Sequence, residues 1–247
     1  MTTTVVATSH GTHAPAARRA VTALVDAVRR TVEHLDVQEA FVDVQEPRPA
    51  AVVDVAPGPV VVLPLLLTAG WHVRVDIARA ADRPWAVAAE PLGPDPRLTA
   101  LMLRRLLEAG STPDDVVVLG VAGSTERRAI DEVDRAADDL ARARGGPVVA
   151  GHLGGSGPAF ADVVRTVARP GRRTVAASYL LAPGFFHDRL DRSGVDLVTP
   201  PLLDDGPVDR GVVSVVVDRV AAAIGRLDRA AAATPRSGAV EWHLSRS

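Results

Sequence analysis

The feature that most constrains the fold of this 247-residue chain is a strand and helix pattern that occurs twice. Residues 5–30 predict a buried strand, a glycine turn and a helix, and residues 116–144 repeat this order with Gly123 in the place of Gly11. Further along, Gly184 takes the place of Gly70. Strands that alternate with helices form parallel sheets with right-handed crossovers. The repeat therefore predicts an α/β protein made of two similar lobes.

Each half contains four apolar, β-branched segments of strand length. We therefore predict two parallel four-stranded sheets flanked by helices and related by internal duplication. A turn-rich segment around residues 109–114 separates the halves. The predicted units are a first lobe at 1–110, a degenerate repeat lobe at 111–230 and a flexible tail at 231–247, where the periodicity is lost.

The composition excludes several kinds of site. The chain has no cysteine, which rules out disulfides, thiolate metal sites and iron–sulfur clusters, so any metal must bind through nitrogen and oxygen. All its basic residues are arginine, so it has neither a Schiff-base lysine nor a P-loop lysine. We predict no nucleotide and no flavin cofactor.

The charge and hydropathy patterns bound the partners and the compartment. A net charge of -2 and a pI near 6.4 argue against nucleic-acid binding. No apolar stretch reaches the roughly 18 residues of a membrane span, and residues 1–4 run into the first strand without a charged leader. We predict a cytoplasmic protein without a membrane partner, and a monomer whose two lobes form a cleft.

Two histidines follow buried strand patterns in the first half. His10 ends the first pattern, and His72 follows the third after Ala69-Gly70-Trp71. Open α/β sheets bind ligands at the carboxyl ends of their strands, so both imidazoles are expected to face one crevice. Each alone is compatible with a structural role in a turn or a first helical turn. The pair at equivalent positions favours metal or proton chemistry.

Three segments of the first half form a recognisable set of motifs: Ser9-His10-Gly11-Thr12, the segment 41–47, and the segment 64–77 with its Gly-x-His-x-x-x-Asp-Ile pattern. Together they resemble the small ATP-independent sirohydrochlorin cobalt or iron chelatases. Residues 179–190 resemble the degenerate repeat of the long two-repeat members, so the resemblance spans about residues 4–225. It implies a bilobed, metal-inserting lyase that places Co²⁺ or Fe²⁺ into sirohydrochlorin for cobalamin or sirohaem synthesis, with Ni²⁺ left open.

The resemblance also implies residue roles. His10 and His72 would hold the divalent metal, which is a substrate, and would accept the pyrrole protons. Glu46 is a candidate for a proton route or a third ligand, with a solvated loop carboxylate as the alternative. The candidate residues for binding the tetrapyrrole are Ser9, Gly11, Thr12, Glu46, Gly70, Trp71, Phe185 and Phe186.

The second half departs from the motif in a way that limits its role. It has Ala122 and Phe186 at the positions of His10 and His72, so it cannot repeat the site and is predicted to form a wall of the cleft. Contributions from His13, His152 and His187 stay open.

Two other functions remain as alternatives. The protein would be a non-catalytic metal or tetrapyrrole carrier if it kept the histidine pair without turnover. A histidine phosphatase is a more distant alternative, because Ser9 stands where that chemistry needs an arginine before the histidine.

Overall fold

The two repeats form two parallel four-stranded sheets in the computed structural model, which describes residues 2–233. The first sheet has the order β2-β1-β3-β4 and the second the order β6-β5-β7-β8, which confirms the predicted fold. The strands are β1 (Thr4–Ser9), β2 (Asp36–Phe41), β3 (Val60–Pro64), β4 (Ala86–Ala88), β5 (Val116–Val121), β6 (Val148–His152), β7 (Thr174–Tyr179) and β8 (Leu197–Val198).

Helices cover both faces of each sheet, because the central strands are apolar on both sides. The helices are α1 (Pro15–Thr31), α2 (Pro49–Val55), a π-helix (Val73–Ile77) that continues into α3 (Ala78–Ala80), α4 (Pro96–Glu108), α5 (Arg127–Arg144), α6 (Phe160–Val167), α7 (Phe185–Asp191) and α8 (Arg210–Ala233). In α1, Ala20, Leu24 and Val28 recur at helical spacing and face the core.

The lobes exchange helices: each lobe contributes one helix that packs on the other lobe. The last helix, α8, packs on β3, β4 and α1 of the first lobe, and α4 packs on α5 and β7 of the second. Arg219 of α8 donates to the carbonyls of Pro91 and Leu92, and Arg105 of α4 pairs with Asp204. Each predicted unit thus supplies one sheet, while one continuous hydrophobic cluster runs through both.

The end of α8 bears on the predicted tail. Residues 231–233 are helical, so the first three residues of the segment predicted to be flexible belong to this helix. Residues 234–247 of the predicted tail lie outside the described residues. Within residues 2–233, no helix combines the length and apolar character needed to cross a membrane.

The duplication extends to the loops at the carboxyl ends of the strands. Gly11 (φ 85°) and Gly123 (φ 100°) both follow a first strand in the left-handed region, and a Cβ on either would overlap a backbone carbonyl of the facing loop. The amide of Phe41 donates to Pro47 O at 2.9 Å, and that of His152 donates to Pro158 O at 2.8 Å. Matching loops place matching positions of the two lobes around one space.

Candidate active site

The carboxyl ends of the two sheets border a cleft of about 920 Å³. The first lobe contributes the loop after β1 and the segment 65–73, and the second contributes residues 121–125 and 179–186. A space at the strand ends between two α/β units is where ligands of such folds bind. The cleft is therefore the candidate active site.

His10 and His72 meet in this cleft, as the strand-end argument predicts. Their ring centroids lie 4.8 Å apart and their planes cross at 89°. His10 is exposed directly after β1, and half-buried His72 immediately precedes the π-helix. Two imidazoles at this separation can serve one ion or one reacting group.

The hydrogen bonds of the two rings assign their tautomers. His72 Nδ1 lies 2.7 Å from Asp76 Oδ2, and His10 Nδ1 lies 3.3 Å from the carbonyl of Gly11. Because an acceptor oxygen faces each Nδ1, the proton is assigned to that atom and Nε2 keeps its lone pair. Neither Nε2 atom has a hydrogen-bond partner among the described residues. Both are available to a ligand.

The π-helix at Val73–Ile77 positions the partner of His72. Asp76 follows His72 by four residues, so both side chains lie on one face of the helix. Buried Ile77 anchors the segment to the core. Single wide turns of this kind are frequent at functional sites. The sequence pattern predicts only an ordinary helix here.

Asp43 is an acidic neighbour of the pair that the sequence analysis did not single out. Its amide donates to the carbonyl of His10 at 3.0 Å. The hydrogen bond from the Val44 amide lowers the pKa of the Asp43 carboxyl, and the charges of His10, Arg48 and His72 lower it further. The carboxylate therefore stays ionised beside the histidines. The sequence signal that could have pointed to Asp43 is its position in the segment 41–47, after a strand.

Glu46, the acid chosen from the sequence, lies elsewhere. Its side chain is 70% exposed and pairs with Arg48 at 3.0 Å, and it does not line the cleft. This exposed, ion-paired position is that of a solvated loop carboxylate, and a role of Glu46 in a proton route or as a third ligand stays a prediction. In the same loop, Val44 lines the cleft with φ 57°, a strained backbone for a β-branched residue.

The other candidate binding residues all line the cleft: Ser9, Gly11, Thr12, Gly70, Trp71, Phe185 and Phe186. The Thr12 amide donates to Gln45 Oε1 at 2.9 Å, which ties the histidine loop to the loop after β2. Trp71 is 52% exposed and Phe185 is 68% exposed. Large aromatic surfaces from both lobes are therefore open to a flat ligand.

The second lobe holds the loop that carries His72. The amide of Ala69 donates to Glu132 Oε2 at 2.6 Å, and Arg128 Nε donates to Glu132 Oε1 at 3.0 Å. Glu132 is only 3% exposed. No sequence signal marks this residue, because it lies inside a helical pattern 63 positions from its partner. The second lobe is more than a wall of the cleft.

The three histidines left open by the sequence occupy different surroundings. His13 is exposed at the rim of the cleft. His187 Nε2 lies 3.2 Å from Thr199 O, its Nδ1 lies 3.3 Å from Asp191, and the residue does not line the cleft. His152 is buried and lines the cleft. Within residues 2–233, no group of three or more His, Asp or Glu side chains is arranged to hold a metal ion.

Comparisons with known proteins confirm the predicted resemblance. Residues 4–109 match the sequence model of the CbiX family. SirB from Bacillus subtilis with Fe³⁺ superposes with a TM-score of 0.77 at 20% identity, over 93% of this chain and 98% of that chain. SirB from the subspecies spizizenii in complex with cobalt gives 0.74 at 20% identity and the same coverage. CbiX, the terminal enzyme of siroheme biosynthesis in denitrifying bacteria, gives 0.63 at 23% identity, over 90% of this chain and 99% of that chain. No curated protein sequence matches.

Proposed function

We propose that this protein inserts Co²⁺ or Fe²⁺ into sirohydrochlorin without ATP. The match of residues 4–109 to the CbiX family model and the fold, which is that of sirohydrochlorin chelatases, support this proposal. The observation that carries the proposal is the His10 and His72 pair in the cleft between the lobes, in which neither Nε2 atom has a hydrogen-bond partner among residues 2–233. Sirohydrochlorin and the metal ion are both substrates.

The pair suits metal delivery because imidazole binds first-row divalent ions, whereas thiolate retains soft ions more tightly. Two protein ligands leave coordination positions for water and then for the macrocycle nitrogens. Insertion forms the metal–nitrogen bonds and releases two pyrrole protons. Once the ion has left, the two Nε2 lone pairs can accept those protons.

Charge balance supports this exchange. One divalent ion leaves the site as two protons arrive, so the net charge around the histidines is the same before and after the transfer. The carboxylates of Asp43 and Asp76 offset the positive charge in both states. The site therefore needs no external energy source to compensate a change of charge.

The rest of the cleft suits a large flat substrate. Trp71, Phe185 and Phe186 present ring surfaces on which a macrocycle can stack. We assign the product to cobalamin or sirohaem synthesis in the cytoplasm and expect a monomeric enzyme.

An anaerobic absorbance assay tests the proposal. Purified protein is mixed with sirohydrochlorin and Co²⁺, Fe²⁺ or Ni²⁺ in turn, beside His10→Ala, His72→Ala and the surface control His34→Ala. We expect metal-dependent conversion that falls about 100-fold or more in either cleft variant and is unchanged in the control. Conversion no faster than without protein, for every metal, would reject the enzyme. Stoichiometric binding without turnover would establish the carrier instead.

A further inference from the structure

His152 is a buried polar group that the proposed metal chemistry does not use. It is the last residue of β6, only 3% of its surface is exposed, and it lines the cleft. Neither ring nitrogen has a hydrogen-bond partner among the described residues. A buried polar atom without a partner destabilises the fold, and native structures contain few of them. An imidazole left in this state calls for an explanation.

Packing alone does not require a histidine at this position. In the first lobe, Phe41 pairs in register with the last residue of β1, and in the second lobe His152 pairs in register with the last residue of β5. The equivalent site therefore accommodates a ring without nitrogen atoms. Gly157 in the facing loop makes room for the imidazole, since a Cβ there would overlap Nε2, Cε1 and Cδ2 of the ring.

The surroundings favour a neutral ring and an anionic partner. Burial lowers the pKa of His152, and the charge of Asp134 only partly opposes this, so the ring at neutral pH has one N–H donor and one acceptor nitrogen. Ser124 and Thr125 also line the cleft and precede α5, an 18-residue helix with Glu126 at its N-cap. The N-terminus of such a helix favours negative charge.

We propose that His152 donates a hydrogen bond to a carboxylate side chain of the tetrapyrrole that reaches into the second lobe. This rests on the proposed substrate class. The second lobe, which has lost the metal-binding histidines, would then fix the orientation of the macrocycle while the first lobe delivers the ion.

The test separates ligand binding from metal insertion. The dissociation constant of metal-free sirohydrochlorin is measured anaerobically, by quenching of tryptophan fluorescence, for the unaltered protein, His152→Phe and His152→Gln. The control is His187→Gln, a histidine of the same lobe that has partners and does not line the cleft. Thermal unfolding is followed for each protein.

We expect His152→Phe to weaken binding about tenfold or more, while its Tm is equal or higher because an unpaired buried polar group has been removed. The dissociation constant of His152→Gln, which keeps a donor, should lie between those of the unaltered protein and His152→Phe. The control should bind as the unaltered protein does. An unchanged dissociation constant in His152→Phe overturns the inference. If the phenylalanine variant does not fold, the dissociation constant of His152→Gln decides, and an unchanged value there overturns the inference.

The outcomes also separate the two proposals. Binding without metal insertion rejects the chelatase, while the variants still decide the role of His152. If the unaltered protein does not bind the macrocycle at all, both proposals fail.

Discussion

Asp76 illustrates how one carboxylate can control the chemistry of a neighbouring ring. By accepting from His72 Nδ1 at 2.7 Å, it fixes the ring orientation and the tautomer that leaves the Nε2 lone pair for a ligand. We predict that Asp76→Ala lowers kcat/KM for metal insertion about 10-fold to 100-fold, whereas Asp76→Asn, which keeps an acceptor but no charge, loses less. Steady-state kinetics measure this, with exposed Asp82→Asn as the control. Activity within twofold in Asp76→Ala would show that His72 does not need this partner.

The sequence predicts the His10 and His72 pair but not the acidic residue next to it. His10 and His72 follow recognisable strand patterns, and parallel strands share a carboxyl edge, so their meeting follows from topology. The identity of the acid next to them does not follow from topology, because Asp43 and Glu46 lie three residues apart in one loop. Which of them approaches the histidines depends on the backbone of that loop, where Asp43 N bonds to His10 O.

Among the secondary-structure elements, α5 couples the second lobe to the His72 loop of the first lobe through Glu132. Its carboxylate accepts from the Ala69 amide and from Arg128, so Glu132→Ala leaves the buried Ala69 amide unpaired, while exposed Arg128 keeps Glu90 as a partner. We predict that Glu132→Ala destabilises the fold by about 1–3 kcal/mol and lowers kcat, while Glu132→Gln, with one acceptor oxygen for Ala69, recovers part of both. Denaturant unfolding and a separation of kcat from KM measure the two effects.

A matched control for this element is Glu90→Gln. Glu90 pairs with the same Arg128 at 3.2 Å but is largely exposed, so its loss should change stability and kcat little. If Glu132→Ala lost stability but kept kcat, Glu132 would support the fold without positioning the His72 loop.

The boundaries of the elements show where sequence patterns stop being informative. The apolar pattern of residues 39–44 predicts a second strand that reaches Val44, but β2 ends at Phe41, and the amides of Val42 and Asp43 beyond it bond to the carbonyls of Ser9 and His10. The π-helix is too short to change the helical periodicity. The helix exchange is also invisible to periodicity, since an amphipathic pattern shows which face is buried but not which sheet covers it.

Asp95 joins α4 and α8, the two helices that the lobes exchange. It caps α4 and accepts from Arg97, and Arg219 of α8 lies 3.4 Å away. Burial alone would raise the pKa of Asp95, but hydrogen bonds from the Arg97 side chain and amide, with the charges of Arg97 and Arg219, outweigh it and lower the pKa. Because the folded pKa lies below the unfolded one, the carboxylate contributes stability above about pH 4, which is lost as the pH falls through the lowered folded value.

We therefore predict that Asp95→Asn costs about 3 kcal/mol of unfolding free energy at pH 7, since it leaves two arginines facing a neutral amide. The difference from the unaltered protein should shrink as the pH falls from about 4 through the lowered folded pKa of Asp95, below which both proteins lack the charge. Denaturant unfolding from pH 7 to pH 2 measures this, with Asp218→Asn, the exposed outer partner of Arg97, as the control. A pH-independent difference would show that the Asp95 charge does not stabilise the junction.

Since α4 and α8 each cover the opposite sheet, both lobes should unfold in one transition. Two separate transitions would show that the lobes fold independently.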